Sequence, residues 1–326
     1  MRSVIDSINS TPPSRRAFLK ASGAGLLAAA IGPEIASTMS AHAAEGREAA
    51  GYIDAHVHVW TPDTSAYPLA EGFNAKSMQP PSFTPEELFA ECRPAGVEQI
   101  VLIQMSFYRF DNSYMLDTLQ RYPGVFSAVA IVDEHARQVR QRMRELARRG
   151  VRGFRISPGN APIDQWLGSP GMAETWSAAA EQNLAICPLI NPEALPAIER
   201  MCNRFPRTPV VIDHFARIGM AGPPRSEDID QLCRLSRYEH VHVKTSAFYA
   251  LGEKKSPYTD LGPLVRRLRD AYGPQRLMWA SDSPFQVQGG HTYADAIALV
   301  RDRLDFLSPD DRQWLLKKTA ATVFFS

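Results

Sequence analysis

Between residues 52 and 304 the sequence repeats one pattern eight times: a short apolar run, then a longer stretch with apolar positions at helical spacing. The apolar runs are 52–60, 99–104, 126–131, 153–156, 185–189, 209–213, 241–245 and 277–281. The first helix is announced by Thr84-Pro85-Glu86-Glu87, with Thr84 as N-cap and Pro85 in the first turn. The others cover 112–122, 135–149, 170–182, 193–205, 228–235, 258–272 and 293–304, and a last helix starts at Pro309. Strands this short and this apolar are buried on both faces, which requires a parallel sheet covered by helices. Eight units without a break favour a closed (β/α)8 TIM barrel over an open sheet. No linker interrupts residues 44–326, so they read as one domain. Residues 62–84, rich in Pro, Gly and Ser, exceed the usual barrel loop and are a candidate lid.

The barrel pattern begins late in the chain. Ser14-Arg15-Arg16-Ala17-Phe18-Leu19-Lys20 is a twin-arginine export signature, followed by an Ala/Gly/Leu-rich run over 21–31 and an A-x-A cleavage site at Ala41-His42-Ala43. The apolar run is too short for a transmembrane helix, which needs about 20 residues. Residues 1–43 are thus expected to be a signal peptide read by the twin-arginine machinery. The mature protein would begin near Ala44 in a bacterial periplasm. Removing four of 36 basic and two of 35 acidic residues leaves 32 minus 33, a net charge of −1. Such a balance gives no electrostatic footprint for nucleic acid and no basic helix for a membrane surface. Cys92, Cys187, Cys202 and Cys233 show no C-x-x-C spacing, which argues against zinc fingers and thioredoxin-like redox chemistry.

In a barrel of this kind the chemistry sits where strands end and βα loops begin. The first run, Tyr52-Ile53-Asp54-Ala55-His56-Val57-His58-Val59-Trp60, puts His56 and His58 on one face by strand alternation, with Asp54 on the same side. The pair can grip a metal ion or polarise a carbonyl. Asp282, after the eighth strand, can be a metal ligand, a general base toward water, or a turn residue before Pro284. His214, after the sixth, can ligate a metal or hydrogen-bond a substrate oxygen. Arg155 ends the fourth strand, where a guanidinium needs an anion such as a substrate carboxylate or Asp282. Arg217 follows the sixth strand, Tyr108 and Arg109 the second, and Lys244 ends the seventh. His135, His240 and His242 fall on a helix start or at the far end of a strand. His291 lies in a Gly-rich loop beyond the eighth strand.

With these residues assembled, the chain resembles the amidohydrolase superfamily, in the amidohydrolase-related branch that contains 2-pyrone-4,6-dicarboxylate lactonase and L-fucono-lactonase-like enzymes. The resemblance runs from about Tyr52 to Phe325. It rests on Asp54-Ala55-His56-Val57-His58, Phe110-Asp111-Asn112, Gly150-Val151-Arg152-Gly153-Phe154-Arg155, Val211-Ile212-Asp213-His214, Val243-Lys244-Thr245-Ser246 and Trp279-Ala280-Ser281-Asp282-Ser283-Pro284. Ala280-Ser281 and Ser283 depart from the branch's Gly-Thr before this aspartate and Trp after it. Strand five, Cys187-Pro188-Leu189-Ile190, lacks the histidine that metal-binding relatives often place there. The segment after strand seven, Ser246-Ala247-Phe248-Tyr249, lacks an arginine that a dicarboxylate would use.

The resemblance implies a hydrolase that opens a lactone or similar cyclic ester of a sugar acid or aromatic-degradation intermediate, with a small molecule as its partner. Asp282 would be the general base, and His56 and His58 would polarise the carbonyl with or without a divalent ion. If a metal is bound, Zn2+ is the expected ion and His56, His58, Asp282 and His214 its ligands. Arg155, Arg217, Arg109, Lys244, Tyr108, Tyr249 and Trp60 would surround the substrate, with Phe248 in the apolar wall. The alternatives are a metal-dependent decarboxylase of the same superfamily and a non-catalytic exported binding protein for small organic acids. For the export segment, replacing Arg15 and Arg16 with lysine should strand the precursor in the cytoplasm; unchanged periplasmic yield, measured by cell fractionation, would refute the twin-arginine assignment.

Overall fold

The computed structural model describes residues 51–159 and 161–326; the expected export segment lies outside them. Eight strands form one parallel sheet in the order of the sequence: β1 (Tyr52–Val57), β2 (Val97–Ile103), β3 (Phe126–Ala130), β4 (Val151–Ile156), β5 (Ala185–Pro188), β6 (Val210–Ile212), β7 (Val241–Thr245) and β8 (Leu277–Trp279). Helices alternate with them on the outside: α1 (Pro85–Cys92), α2 (Ser113–Arg121), α3 (Val139–Arg148), α4 (Ile163–Gly168), α5 (Pro170–Gln182), α6 (Leu195–Arg204), α7 (Ser226–Arg234), α8 (Gly262–Tyr272) and α9 (Tyr293–Ala298). Helices α10 (Pro309–Gln313) and α11 (Thr319–Phe324) follow. This is a nearly closed (β/α)8 barrel. Among the described residues no helix is long and apolar enough to cross a membrane.

Two apolar layers follow from strand alternation. Ile53, Ala55, Val101, Val129, Val211 and Met278 point inward and pack together. Their neighbours, including Val57, Ile100, Leu102 and Phe154, face the helices. Helix α11 adds Ala320 and Phe324 to the inner cluster and so plugs the end of the barrel away from His58 and Asp282. Thr84 caps α1 as its sequence suggests, accepting from the Glu87 N–H while the Glu87 carboxylate accepts from the Thr84 N–H. Helix α4, an extra turn and a half between β4 and α5, has no counterpart in the pattern read from the sequence.

One irregularity decides the geometry of the mouth. Asp54 pairs with Ile100 and Val57 with Leu102, so Ala55 and His56 stand together opposite Val101. That is a β-bulge, and it reverses the alternation. Asp54, expected on the face of His56 and His58, instead points out toward the helix layer. There it accepts from the Ser281 and His56 N–H groups through Oδ1, at 2.9 and 3.1 Å, and from the Tyr293 hydroxyl through Oδ2 at 2.7 Å. Burial raises its pKa to about 6, and the Ser281 and Tyr293 donors pull it the other way.

These bonds stitch the place where β8 meets β1. The two strands share no regular ladder, and the bridge there joins Val57 to Ser283, four residues beyond β8. Asp282 N–H donates to His56 O at 2.9 Å and His58 N–H to Ser283 O at 2.8 Å. The seam therefore fixes His56, His58 and Asp282 relative to one another. Removing one donor from a buried carboxylate costs about 1.5–3 kcal/mol. Tyr293→Phe should lower unfolding stability by about that amount in urea titrations; a loss below about 0.5 kcal/mol would show that Asp54 does not hold the seam.

Candidate active site

The histidines and Asp282 meet at the mouth as the strand ends suggest. Asp282 Oδ1 lies 3.3 Å from His58 Nε2 and 3.5 Å from His56 Nε2; Oδ2 lies 3.8 Å from His214 Nε2. All four side chains are buried. Tyr249 donates its hydroxyl to Asp282 Oδ2 at 2.8 Å, which orients the carboxylate and leaves Oδ1 toward the imidazoles. Burial and the Asp282 charge raise the Tyr249 phenol far above its ordinary pKa, so it stays a donor. Burial alone would raise Asp282, but His214, His58 and His56 around it outweigh that and hold it below the usual carboxylate range.

The backbone that delivers His214 is costly. Residues 214–217 all have φ between 51° and 57°, a left-handed turn with no glycine in it. L-residues disfavour this conformation by roughly 1–2 kcal/mol each. Asp282 (φ 67°) and Ala247 (φ 58°) share it. Such strain clusters at functional sites, where the surrounding packing overrides it. The turn sends His214 and Arg217, three positions apart in one loop, into the mouth.

Tautomers follow from the partners. His58 Nδ1 lies 2.8 Å from the Ile103 carbonyl, which only accepts, so Nδ1 carries the proton. In the neutral ring Nε2 is then a lone pair, and it faces a carboxylate oxygen at 3.3 Å. Two acceptors so close need a cation or a proton between them. His56 Nε2, buried, has no hydrogen-bond partner among the described residues and turns to the same gap. The facing atoms of His56, His58 and Asp282 all lie within 4.8 Å of one another. Two imidazole nitrogens and a carboxylate oxygen converging on one gap fit a divalent ion, and zinc suits this donor set.

Beneath His56 lies a charged group that sequence reading did not single out. Asp213, fully buried, is 3.4 Å from His56 Nδ1 and 3.0 Å from Lys244 Nζ, with Arg155 Nε at 3.9 Å. Burial alone would raise its pKa, but Lys244 and His56 hold it well below the usual range. His56 itself is lowered by burial first and by Lys244 second, so its ring is neutral. Two tautomers are open to it. When Nδ1–H donates to Asp213, Nε2 is free to ligate. When Lys244, 3.2 Å from Nδ1, donates instead, Nε2 carries the proton and becomes a donor at the gap. Strand alternation from Val211 would have placed Asp213 inside the barrel.

The site opens into a cavity of about 740 Å³. His58, His214 and Asp282 line it on one side, and Arg109, Arg155, Arg217 and Tyr249 also reach it. Burial pushes His214 down to about 4, and its Nδ1 meets the Ser246 hydroxyl at 2.8 Å. Four residues expected around the substrate lie elsewhere. Trp60 is fully buried, donates its indole N–H to Pro80 O at 2.9 Å and holds the 62–84 loop against the barrel. That loop contributes Phe73 to the cavity. Tyr108 is buried against Phe107 and Tyr114. Phe248 packs on Phe215 and Tyr258. Lys244 lies below His56, and Phe324 stands 5.5 Å from its Nζ. Lys244 acts on Asp213 and His56 rather than on a ligand. His291 meets Tyr258 OH at 2.7 Å and does not line the cavity. The four cysteines are free.

A family model described as Amidohydrolase matches residues 53–325. L-fucono-1,5-lactonase of Burkholderia ambifaria is 30% identical over 268 residues, covering 80% of this chain and 90% of that protein. 4-Sulfomuconolactone hydrolase of Rhizobium radiobacter is 29% identical over 241 residues, covering 72% of this chain and 76% of that one. Among solved structures, a candidate 2-pyrone-4,6-dicarboxylic acid hydrolase of Pseudomonas putida superposes with a TM-score of 0.70 at 26% identity, covering 84% of this chain and 97% of that chain. The chain is a hydrolase that belongs to the amidohydrolase family.

Proposed function

We propose that the protein opens the ring of a lactone by adding water to its carbonyl. The observation that carries this is the Asp282 carboxylate, 3.3 to 3.8 Å from three imidazoles at the edge of a substrate-sized cavity. A pocket built only for binding has no use for a carboxylate and three imidazoles gathered there, which weighs against a silent binding protein. The two curated relatives, one named a lactonase and one a lactone hydrolase, support this reading over decarboxylation. The twin-arginine signature supports the further reading that it does so after export.

His56, His58 and Asp282, with His214 beside them, would hold a divalent ion, which would supply Lewis acidity toward the carbonyl oxygen. The chain's own groups do the rest. Asp282 accepts a proton from water as the water oxygen adds to the carbonyl carbon, and Tyr249 keeps its carboxylate aimed. His214, neutral at physiological pH and fixed by Ser246, is placed to hydrogen-bond the substrate. Arg155 and Arg217 hold a substrate carboxylate or the charge that develops on oxygen. The ring oxygen leaves with the proton that Asp282 took, and the product is a hydroxy acid.

Asp282→Asn keeps the shape and removes the base. Loss of a general base costs about 10²–10⁴-fold in rate. On L-fucono-1,5-lactone or whichever lactone the native protein opens fastest, kcat should fall by that factor while the far-UV spectrum stays native. A folded Asp282→Asn protein with near-native kcat would overturn the mechanism.

A further inference from the structure

The cavity is larger and more apolar than hydrolysis of a small hydroxylated lactone requires. Its volume of about 740 Å³ lies in the upper part of the range for drug-sized ligands. Of its 25 lining residues, 14 are apolar. On the side of β1, β7 and β8, His58, Tyr249 and Asp282 reach the cavity among Ala247, Leu251 and Phe285. From β4 and the segments after β3, β4 and β5 come Val132, Ile156, Trp166, Met172 and Leu189, with Glu134, Arg155, Ser157 and Thr175 among them. In an eight-stranded barrel β4 stands opposite β8, so these five apolar side chains face the reacting groups across the mouth.

Two further observations point the same way. Trp166 belongs to α4, the extra helix between β4 and α5, and the cavity takes its lining from that helix. Phe110 and Met220 are the large hydrophobic side chains that stand exposed among the described residues, at 44% and 42%, and both line this cavity. They come from loops after β2 and β6, on opposite sides of the barrel. Exposed apolar surface gathered at one opening marks a place where an apolar ligand group is received.

We propose that the substrate carries a sizeable apolar substituent, an aryl group or an alkyl chain of several carbons, seated on the β3–β5 side against Trp166, Met172, Ile156 and Leu189. This rests on the lactonase reading for the reacting group and goes beyond it for the rest of the molecule. The carbonyl sits at Asp282 and the imidazoles, Arg155 and Arg217 stand between the two regions, and the substituent runs toward Phe110 or Met220. A polyhydroxylated sugar lactone would leave Ile156, Trp166, Met172 and Leu189 without an apolar partner and would strip water from any hydroxyl set against them.

The test uses the zinc-supplemented wild-type protein and two series. One is turnover of γ-lactones with alkyl substituents of zero to six carbons, beside L-fucono-1,5-lactone. The other is calorimetric binding of straight-chain carboxylates from acetate to octanoate, which needs no chemistry. Burial of each methylene predicts a rise of about fourfold in kcat/KM and in affinity until the wall is filled. In Trp166→Ala the ratio of long-chain to short-chain kcat/KM should fall, through KM rather than kcat. Turnover that is flat with chain length, or greatest on the sugar lactone, overturns the apolar subsite and leaves the lactonase reading intact. Affinity that climbs with chain length while no lactone is opened supports the subsite and overturns the lactonase reading. Neither turnover nor length-dependent binding overturns both.

Discussion

His58 Nε2 and Asp282 Oδ1, 3.3 Å apart, face each other in a buried gap, and much of the surrounding structure serves to hold them there. With the ring neutral both atoms are acceptors, and the pair repels unless a cation or a proton lies between them. It persists because each partner is tied from behind: His58 Nδ1–H to the Ile103 carbonyl, Asp282 Oδ2 to the Tyr249 hydroxyl, and the Asp282 backbone to His56 O across the β8–β1 seam. The outward-facing Asp54 closes that seam with three donors. A barrel with a regular β8–β1 ladder would have no need of a buried carboxylate at this point. Structure and chemistry thus share one constraint: the irregular seam that sets the register also sets the distance across the gap.

Asp213 and Lys244 extend the same logic one layer down. A carboxylate and an ammonium 3.0 Å apart under His56 neutralise each other, so neither imposes a net charge on the ring above. The ring can then donate Nδ1–H to Asp213 or accept from Lys244. The first arrangement presents a lone pair that can ligate a cation in the gap, and the second presents a proton that can donate to a carbonyl oxygen gaining negative charge. Replacement of either partner alone would bury an unpaired charge, which explains why the pair is best read as a unit.

The fold was legible because its signal is repeated: eight apolar runs and their helices are each short, and all fall where the pattern places them. The site was legible as an address, since strand ends bring His56, His58, His214, Arg155 and Asp282 together whatever the local detail. What escaped the reading is non-periodic. Strict alternation put Asp54 beside the histidines, and a one-residue bulge at Ala55-His56 sent it to the opposite face. The left-handed turn at 214–217 contains no glycine, so nothing in its composition marks it. Trp60 and Tyr108 follow strand ends as cavity residues do, but their rings found neighbours in the 62–84 loop, Phe107 and Tyr114. Helix α4 is too short to show a helical period, and Trp166 with it.

Diffraction from crystals grown with zinc, measured on both sides of the zinc absorption edge, reads whether the gap between the imidazoles and Asp282 holds a metal ion. One anomalous peak bounded by His56 Nε2, His58 Nε2 and Asp282 Oδ1 is the expected result. Crystals of catalytically competent protein with no peak there, and with His58 Nε2 hydrogen-bonded directly to Asp282, would contradict it.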